Sequence, residues 1–268
     1  MLARLVFVLF LTTLILSPLA AQTTSPVRDP QALTLIASSL KALTGSVTVS
    51  DVIVQATASY VAGSDEETGT ATLTATSRQE SLTQLSLSGG SRQEVRNGLL
   101  GAWVGPDGAT HCAATYNCRT DASWFFPALT LGTISSDSTI AVTYFGPDSS
   151  KGASLLHIQV ARVRSADTAS ATAEILRLGT MDIYFDPQSY LPLFLDFNVH
   201  ADNDPNTNIP VEIQFGNFQS LNGGLVPFHI QKLLQGTLTL DLAVTSVLLN
   251  SGVPDSVFAL ACAQGGQP

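Results

Sequence analysis

Apolar and polar residues alternate along most of the chain, which is the pattern of strands that bury one face of a sheet. The alternation is clearest in the last third, over residues 191–199, 211–215 and 238–244. A long alternating segment also begins at Val47, and turn-forming pairs such as Asn97-Gly98 separate shorter ones. The pattern therefore predicts a meander of antiparallel hairpins.

Three segments interrupt the alternation and indicate helices or coverings of the sheet. Asp29 and Pro30 form a helix start, and Gly45 forms a helix stop. Between them four apolar residues recur at spacings of three, four and three, as one face of a helix requires: Leu33, Ile36, Leu40 and Leu43. The aromatic segment 124–129 and the alanine-rich segment 167–178 are predicted to be short pieces laid over the sheet. Together these elements place the chain in the mainly β, α+β class.

The N-terminus has the order of residues that is typical of a secretory signal peptide. Arg4 precedes apolar runs that end at Leu16, and the small residues Ala20 and Ala21 follow. The apolar part is shorter than the ~20 residues that span a membrane. We therefore expect residues 1–21 to be cleaved and residues 22–268 to fold as a single soluble domain in the periplasm. An uncleaved membrane anchor is the alternative.

Charge and composition narrow the classes of partner. The chain has 12 basic and 21 acidic residues, and loss of Arg4 with the signal peptide would leave a net charge near −10. Nucleic acids and anionic membrane surfaces require clustered Lys and Arg, so neither is predicted as a partner. Only 12% of the residues are charged, against about 25% in ordinary soluble domains. Much of the polar surface must therefore come from uncharged side chains, as is common in exported β proteins.

The cysteines predict one disulfide and one free thiol. Cys112 and Cys118 bracket a short loop, which a disulfide would close in an oxidising compartment. Closure of so small a ring contributes about 2 kcal/mol on the chain-entropy model. Cys262, in the C-terminal tail, is then predicted to be free. The pattern lacks the C-x-x-C of a redox site and the additional ligands of a metal site.

Several motifs near the C-terminus occur in a characteristic order. They are Asp186-Pro187, Leu191-Pro192, the segments 214–218 and 221–228, Gly236, Asn250 and the segment 253–258. This order, preceded by one amphipathic helix, a long strand and a run of hairpins, resembles the LolA-like family of periplasmic lipoprotein and lipid carriers. The resemblance implies an incompletely closed antiparallel β-barrel with an N-terminal amphipathic helix, short lid helices and an apolar cavity.

The resemblance also implies a ligand with acyl chains. Removing an acyl chain from water is worth about 0.8 kcal/mol per CH₂, so a carrier must offer a deep and dry pocket. Small side chains on the first long strand would leave such space, and the aromatic segment would cover it. We therefore expect the following residues to form the cavity and its lid: Val52, Val54, Tyr60, Trp103, Trp124, Phe125, Phe126 and Leu129. Ordinary core packing is the alternative interpretation of the same aromatic residues.

The family resemblance further implies an arginine that fastens the lid, and membrane-bound proteins that deliver and receive the ligand. Arg78, Arg92 and Arg96 lie in the appropriate region, but no motif selects one of them. The expected partners are a lipid or an acylated lipoprotein, with a monomeric carrier between its donor and acceptor proteins.

Motifs of catalysis and metal binding are weak or missing in the sequence. There is no G-x-S-x-G, H-E-x-x-H or glycine-rich phosphate loop, and the four histidines are scattered singly: His111, His157, His200 and His229. Residues 202–208 carry oxygen side chains at alternate positions, as calcium loops do, but lack the Gly and Glu of that motif. No catalytic residue, metal or cofactor is therefore predicted. Two alternatives to a carrier remain: a cell-envelope interaction module with a filled core, and a hydrolase assembled by the fold.

Overall fold

The computed structural model describes residues 26–162, 169–259 and 262. The predicted signal peptide, residues 1–21, lies outside these ranges. Within them the chain forms one sheet of thirteen strands, three α-helices and two short 3₁₀ helices.

The strands follow one another with few interruptions. They are β1 Asp51–Ala62, β2 Asp65–Thr76, β3 Glu80–Leu87, β4 Gly90–Asn97, β5 Leu100–Val104, β6 Thr110–Cys112, β7 Ile140–Asp148, β8 Leu155–Arg162, β9 Met181–Phe185, β10 Pro192–Ala201, β11 Asp204–Leu221, β12 Gly224–Leu234 and β13 Thr237–Leu249. The helices are α1 Pro30–Thr44, α2 Pro127–Ser136 and α3 Ala169–Gly179, and the 3₁₀ helices are Thr115–Cys118 and Asp255–Phe258.

The sheet is an open, antiparallel meander with one long-range pairing. Its order is β6-β5-β4-β3-β2-β1-β13-β12-β11-β10-β9-β8-β7, so β1 pairs with β13, and β6 and β7 form the two edges. Residues Val52 and Leu249 are partners across the β1–β13 pair. Because the edge strands do not pair with each other, the sheet is an incompletely closed barrel, and the predicted fold class is confirmed.

Local turn chemistry explains the hairpins. Asn222 and Gly223, between β11 and β12, have φ values of 53° and 86°. Two consecutive positive φ values define the turn whose twist matches that of the strands it joins, and Asn-Gly adopts it at low cost. The long strand predicted from Val47 begins instead at Asp51, because the Val47 amide bonds the Thr44 carbonyl in a turn that leaves α1.

Helix α1 has the bounds and the cap that the sequence predicts. The Asp29 carboxylate accepts a hydrogen bond from the Gln31 amide at 2.7 Å, and the buried face includes Ile36 and Leu43. The helix contacts α2, β7 and β12. Its C-terminal turn lies so near β12 that a Cβ atom at Gly224 would be 2.1 Å from the Leu43 carbonyl oxygen. A glycine is therefore required where α1 docks on the sheet.

Helix α2 belongs to the hydrophobic core. Seven of its residues are buried: Pro127, Ala128, Leu129, Thr130, Leu131, Thr133 and Ile134. The inner faces of the strands, α1 and α2 together form one continuous cluster of buried side chains. The predicted helix over 167–178 is found as α3, although residues 167 and 168 lie outside the described ranges.

Candidate functional site

An apolar cavity of about 350 Å³ lies inside the curl of the sheet. Strands β3–β5 line one side of it and β10–β12 the other, with β1 and β13 between them. Its aliphatic lining is Leu85, Val104, Val199, Val211, Leu234 and Leu240. The volume lies at the lower end of the ~300–1,000 Å³ that is usual for small-molecule sites.

The structure divides the predicted cavity residues into two groups. Tyr60, Trp103 and Trp124 line the cavity. The other five are buried in the main core and do not line it: Val52, Val54, Phe125, Phe126 and Leu129. Of the aromatic segment 124–129, Trp124 thus lines the cavity. The residues that follow Trp124 in this segment pack in the main core.

A buried carboxylate shapes the loop that carries Trp124. Asp121 accepts hydrogen bonds from the Ser123 amide at 2.8 Å and from the Gln79 side-chain amide at 2.7 Å. The Thr130 hydroxyl of α2 donates a third hydrogen bond to it at 3.2 Å. Asp121 therefore ties the turn before Trp124 to the first turn of α2. Sequence reasoning missed this residue, because the partner that joins it to another element, Gln79, lies 42 positions away in the sequence.

Charged side chains stand at both walls of the cavity. The Arg92 guanidinium donates to both carboxylate oxygens of Glu67, at 2.6 and 2.8 Å, and lies 4.6 Å from the centre of the Tyr60 ring. The Arg92 hydrogen bond lowers the pKa of the Glu67 carboxyl and raises the pKa of Arg92. On the opposite wall, the Lys232 ammonium lies 4.9 Å from the centre of the Trp124 ring.

A second cavity, of about 370 Å³, has a different character. Lys151 lies in it between Asp196 and Glu212, at 2.6 and 2.5 Å. Burial raises the pKa of the Asp196 carboxyl, and the hydrogen bond from Lys151 offsets only part of this effect. Lys151 thus pairs with two of the three carboxylates that line this cavity, and such a charged lining does not favour an acyl chain.

None of the three arginines named from the sequence forms a hydrogen bond or salt bridge with α2 among the described residues. Arg78 bonds Glu80 and Asp255, Arg92 bonds Glu67, and Arg96 donates to the Thr120 carbonyl.

Another arginine, Arg28, holds the end of α2. Its guanidinium donates to four carbonyl oxygens at the end of the helix and in the turn beyond, at 2.6 to 3.1 Å: Ile134, Ser135, Asp137 and Ile140. Arg28 thereby satisfies carbonyls that the end of a helix leaves unpaired. The sequence offers no local signal for this role.

The predicted disulfide is wrong. Cys112 is bonded to Cys262, and Cys118 is a buried free thiol. Cys118 points inward from its 3₁₀ helix, where a Cβ atom at Gly101 would lie 2.9 Å from its sulfur. Burial raises the pKa of the Cys118 thiol. The C-terminal segment returns to β6 because the fully buried Phe258 anchors it against β3, β4 and β5.

In the described part of the chain, the four histidines contact aspartate, backbone or aromatic groups. The His157 and His229 rings each bond one aspartate at 2.8 Å, Asp182 and Asp241 respectively. His200 is buried beside the Thr207 carbonyl, and His111 stacks on Trp103 at 4.0 Å. Among the described residues, no serine hydroxyl bonds a histidine.

The predicted calcium-like segment is part of a hairpin. The Asp204 carboxylate accepts hydrogen bonds from the Asn206 amide and the Thr207 hydroxyl, at 2.9 and 2.6 Å, at the start of β11. In the part of the chain that the structure describes, no group of three or more His, Cys, Asp or Glu side chains is placed to hold a metal ion.

The helices in the described residues have at most 15 residues. None of those in the described ranges combines the length and the hydropathy that crossing a bilayer requires.

Comparison with known proteins shows the fold. No protein-family model matches the chain, and no curated protein matches it. A LolA superfamily protein from Nitrosomonas europaea is 9% identical to it; the match covers 85% of this chain and 97% of that one, with a TM-score of 0.54. The chain has a LolA-like fold. A DUF1329 family protein from Desulfovibrio piger, 11% identical, matches 88% of this chain and 98% of its own length, with a TM-score of 0.51. This is the fold that the resemblance of the C-terminal motifs implies.

Proposed function

We propose that this LolA-like protein is a soluble periplasmic carrier or chaperone that binds acyl chains of a lipid or lipoprotein. The observation that carries the proposal is the apolar cavity of about 350 Å³ inside the open sheet. Aliphatic side chains from six strands line it, and an acyl chain placed there would leave water at a gain of about 0.8 kcal/mol per CH₂. The cavity favours a carrier over an interaction module with a filled core.

The proposed activity is reversible burial of the ligand, without catalysis. The resemblance of the C-terminal motifs to the LolA-like carriers supports this proposal. It also supports export with cleavage of residues 1–21, a monomeric state, and membrane-bound partners that deliver and receive the ligand.

The test is to purify the protein from the periplasm without detergent, extract it with solvent and identify the extracted molecules by mass spectrometry. A stoichiometric acyl compound is expected. Leu234→Gln, which places an amide in the cavity lining, should reduce the amount recovered severalfold. Leu248→Gln is the matched control, because Leu248 is 56% exposed and does not line the cavity.

The interaction module is the competing outcome. If the protein carries no acyl compound and also fails to bind added fatty acids and phospholipids, the carrier proposal is wrong.

A further inference from the structure

The two cations of the apolar cavity differ in their ionic partners. Arg92 is neutralised by Glu67 through two short hydrogen bonds. Lys232 has no carboxylate within 4.0 Å of its ammonium among the described residues, although acidic residues outnumber basic ones, 21 to 12. Lys151, by contrast, has two carboxylates on its ammonium. Within the described part of the chain, Lys232 is thus a cation without a carboxylate partner, in the wall of an apolar cavity.

The Lys232 ammonium lies 4.9 Å from the centre of the Trp124 ring, in a cation–π contact. Its hydrogen-bond donors have no protein acceptor among the described residues. A chain that filled the cavity would displace water from the remaining donors, and burial of an unpaired charge is costly. An anionic group on the ligand would replace that water with charge-assisted hydrogen bonds.

We propose that the ligand is a single-chain amphiphile with an anionic head, which Lys232 binds while the chain occupies the cavity. This inference rests on the proposed function and specifies its ligand. A volume of about 350 Å³ favours one chain over several. Glu94 lines the opposite wall, on β4, and would repel an anionic head placed there. The head therefore lies on the β12 side.

Intrinsic fluorescence gives a direct assay, because the chain has two tryptophans and both line the cavity. The protein is titrated at low salt and mildly alkaline pH, below micelle formation, with three probes of equal chain length: laurate, dodecyl phosphate and uncharged monolaurin. We expect at least one anionic probe to bind about tenfold or more tightly than monolaurin. Comparing the affinities for laurate and dodecyl phosphate distinguishes a preference for a carboxylate head from a preference for a phosphate head.

Variants locate the effect. Lys232→Met should weaken binding of the anionic probe about tenfold and leave monolaurin unchanged, whereas Lys232→Arg should retain the preference. Added salt should weaken binding of the anionic probe to the wild type but not to Lys232→Met. Lys41→Met is the charge-matched control, because Lys41 is exposed on α1 and does not line the cavity.

Two results separate this inference from the proposed function. Equal binding of charged and neutral probes, or an unchanged affinity of Lys232→Met for the anionic probe, would overturn the role of Lys232 and leave the carrier intact. Failure of all three probes to bind would overturn the single-chain ligand, whereas the carrier itself is contradicted only if no acyl compound is extracted and added phospholipids also fail to bind.

Discussion

Single side chains join segments that are remote in the sequence. Asp51, at the start of β1, accepts hydrogen bonds from the Ser251 amide and hydroxyl at 2.7 and 2.8 Å, and from the Gly252 amide at 3.2 Å. Burial by itself would raise the pKa of Asp51, but these hydrogen bonds outweigh it and lower the pKa. The ionised carboxylate therefore ties the segment after β13 to β1.

We expect Asp51→Asn to lower the free energy of unfolding by about 1–3 kcal/mol near neutral pH, as is usual for hydrogen bonds to a charged group. The pKa of Asp51 is lower in the folded state, so its stabilising effect is complete above the unfolded value of about 3.9 and is lost as the pH falls through the folded value. The difference from wild type, measured by urea unfolding, should therefore shrink between about pH 7 and pH 3.

The control for Asp51 is Asp65→Asn, which changes an exposed carboxylate in the β1–β2 hairpin. It should alter stability little at either pH. If Asp51→Asn lowered the free energy of unfolding by the same amount at pH 7 and pH 3, the role given to the ionised carboxylate would be contradicted.

At the scale of elements, α2 depends on residues outside itself. Its side chains are mostly buried, and its first turn is tied to Asp121 and its last to Arg28. The same helix follows directly after Trp124, which stands between the core and the apolar cavity. The position of α2 therefore sets the position of a cavity wall.

Arg28→Met is expected to destabilise α2 specifically. The variant removes the donor from two carbonyl oxygens in the last turn of α2 and from two beyond it, at Asp137 and Ile140, at a cost of about 2 kcal/mol or more. Hydrogen exchange with mass spectrometry should show reduced protection over residues 127–140. Arg177→Met, which removes a similar bond from α3 to the Pro205 carbonyl, should leave that protection unchanged. Equal protection in both variants would show that Arg28 does not hold the helix.

At the scale of the whole molecule, contacts join segments from the two ends of the described chain. The β1–β13 pair brings the first strand beside the last, and the C-terminal segment continues across the sheet to β6. The Cys112–Cys262 bond spans 150 residues. A loop of that length restricts the unfolded chain more than the short loop expected from the sequence.

Replacing both Cys112 and Cys262 by alanine should lower the free energy of unfolding by about 2–5 kcal/mol. Cys118→Ala should lower the free energy of unfolding by a smaller amount, because it removes no cross-link. Peptide mapping without reductant should recover Cys112 joined to Cys262, and Cys118 should react with iodoacetamide only after unfolding. A peptide that joins Cys112 to Cys118 would contradict this arrangement.

Local patterns in the sequence predicted much of the fold. Alternation over residues 191–199 and 238–244 corresponds to β10 and β13, and the signals at Asp29 and Gly45 mark the bounds of α1. These features succeed because period, capping and turn chemistry act between residues a few positions apart. The signal peptide over 1–21 and the single domain over 22–268 stay predictions.

The cavity and the cross-links were decided by tertiary structure. Sequence alone grouped Phe125 with Trp124, yet Trp124 lines the cavity and Phe125 lies in the core, since both belong to a turn before α2 whose successive side chains point in different directions. Lys232 and Trp124 lie 108 positions apart and meet only because the sheet curls around the loop before α2. Contacts between residues so distant in the sequence depend on how the whole sheet packs. The local alternation of apolar and polar residues carries no information about that packing. The sequence determined the elements and their apolar faces, and the curl of the sheet determined which side chains meet inside it.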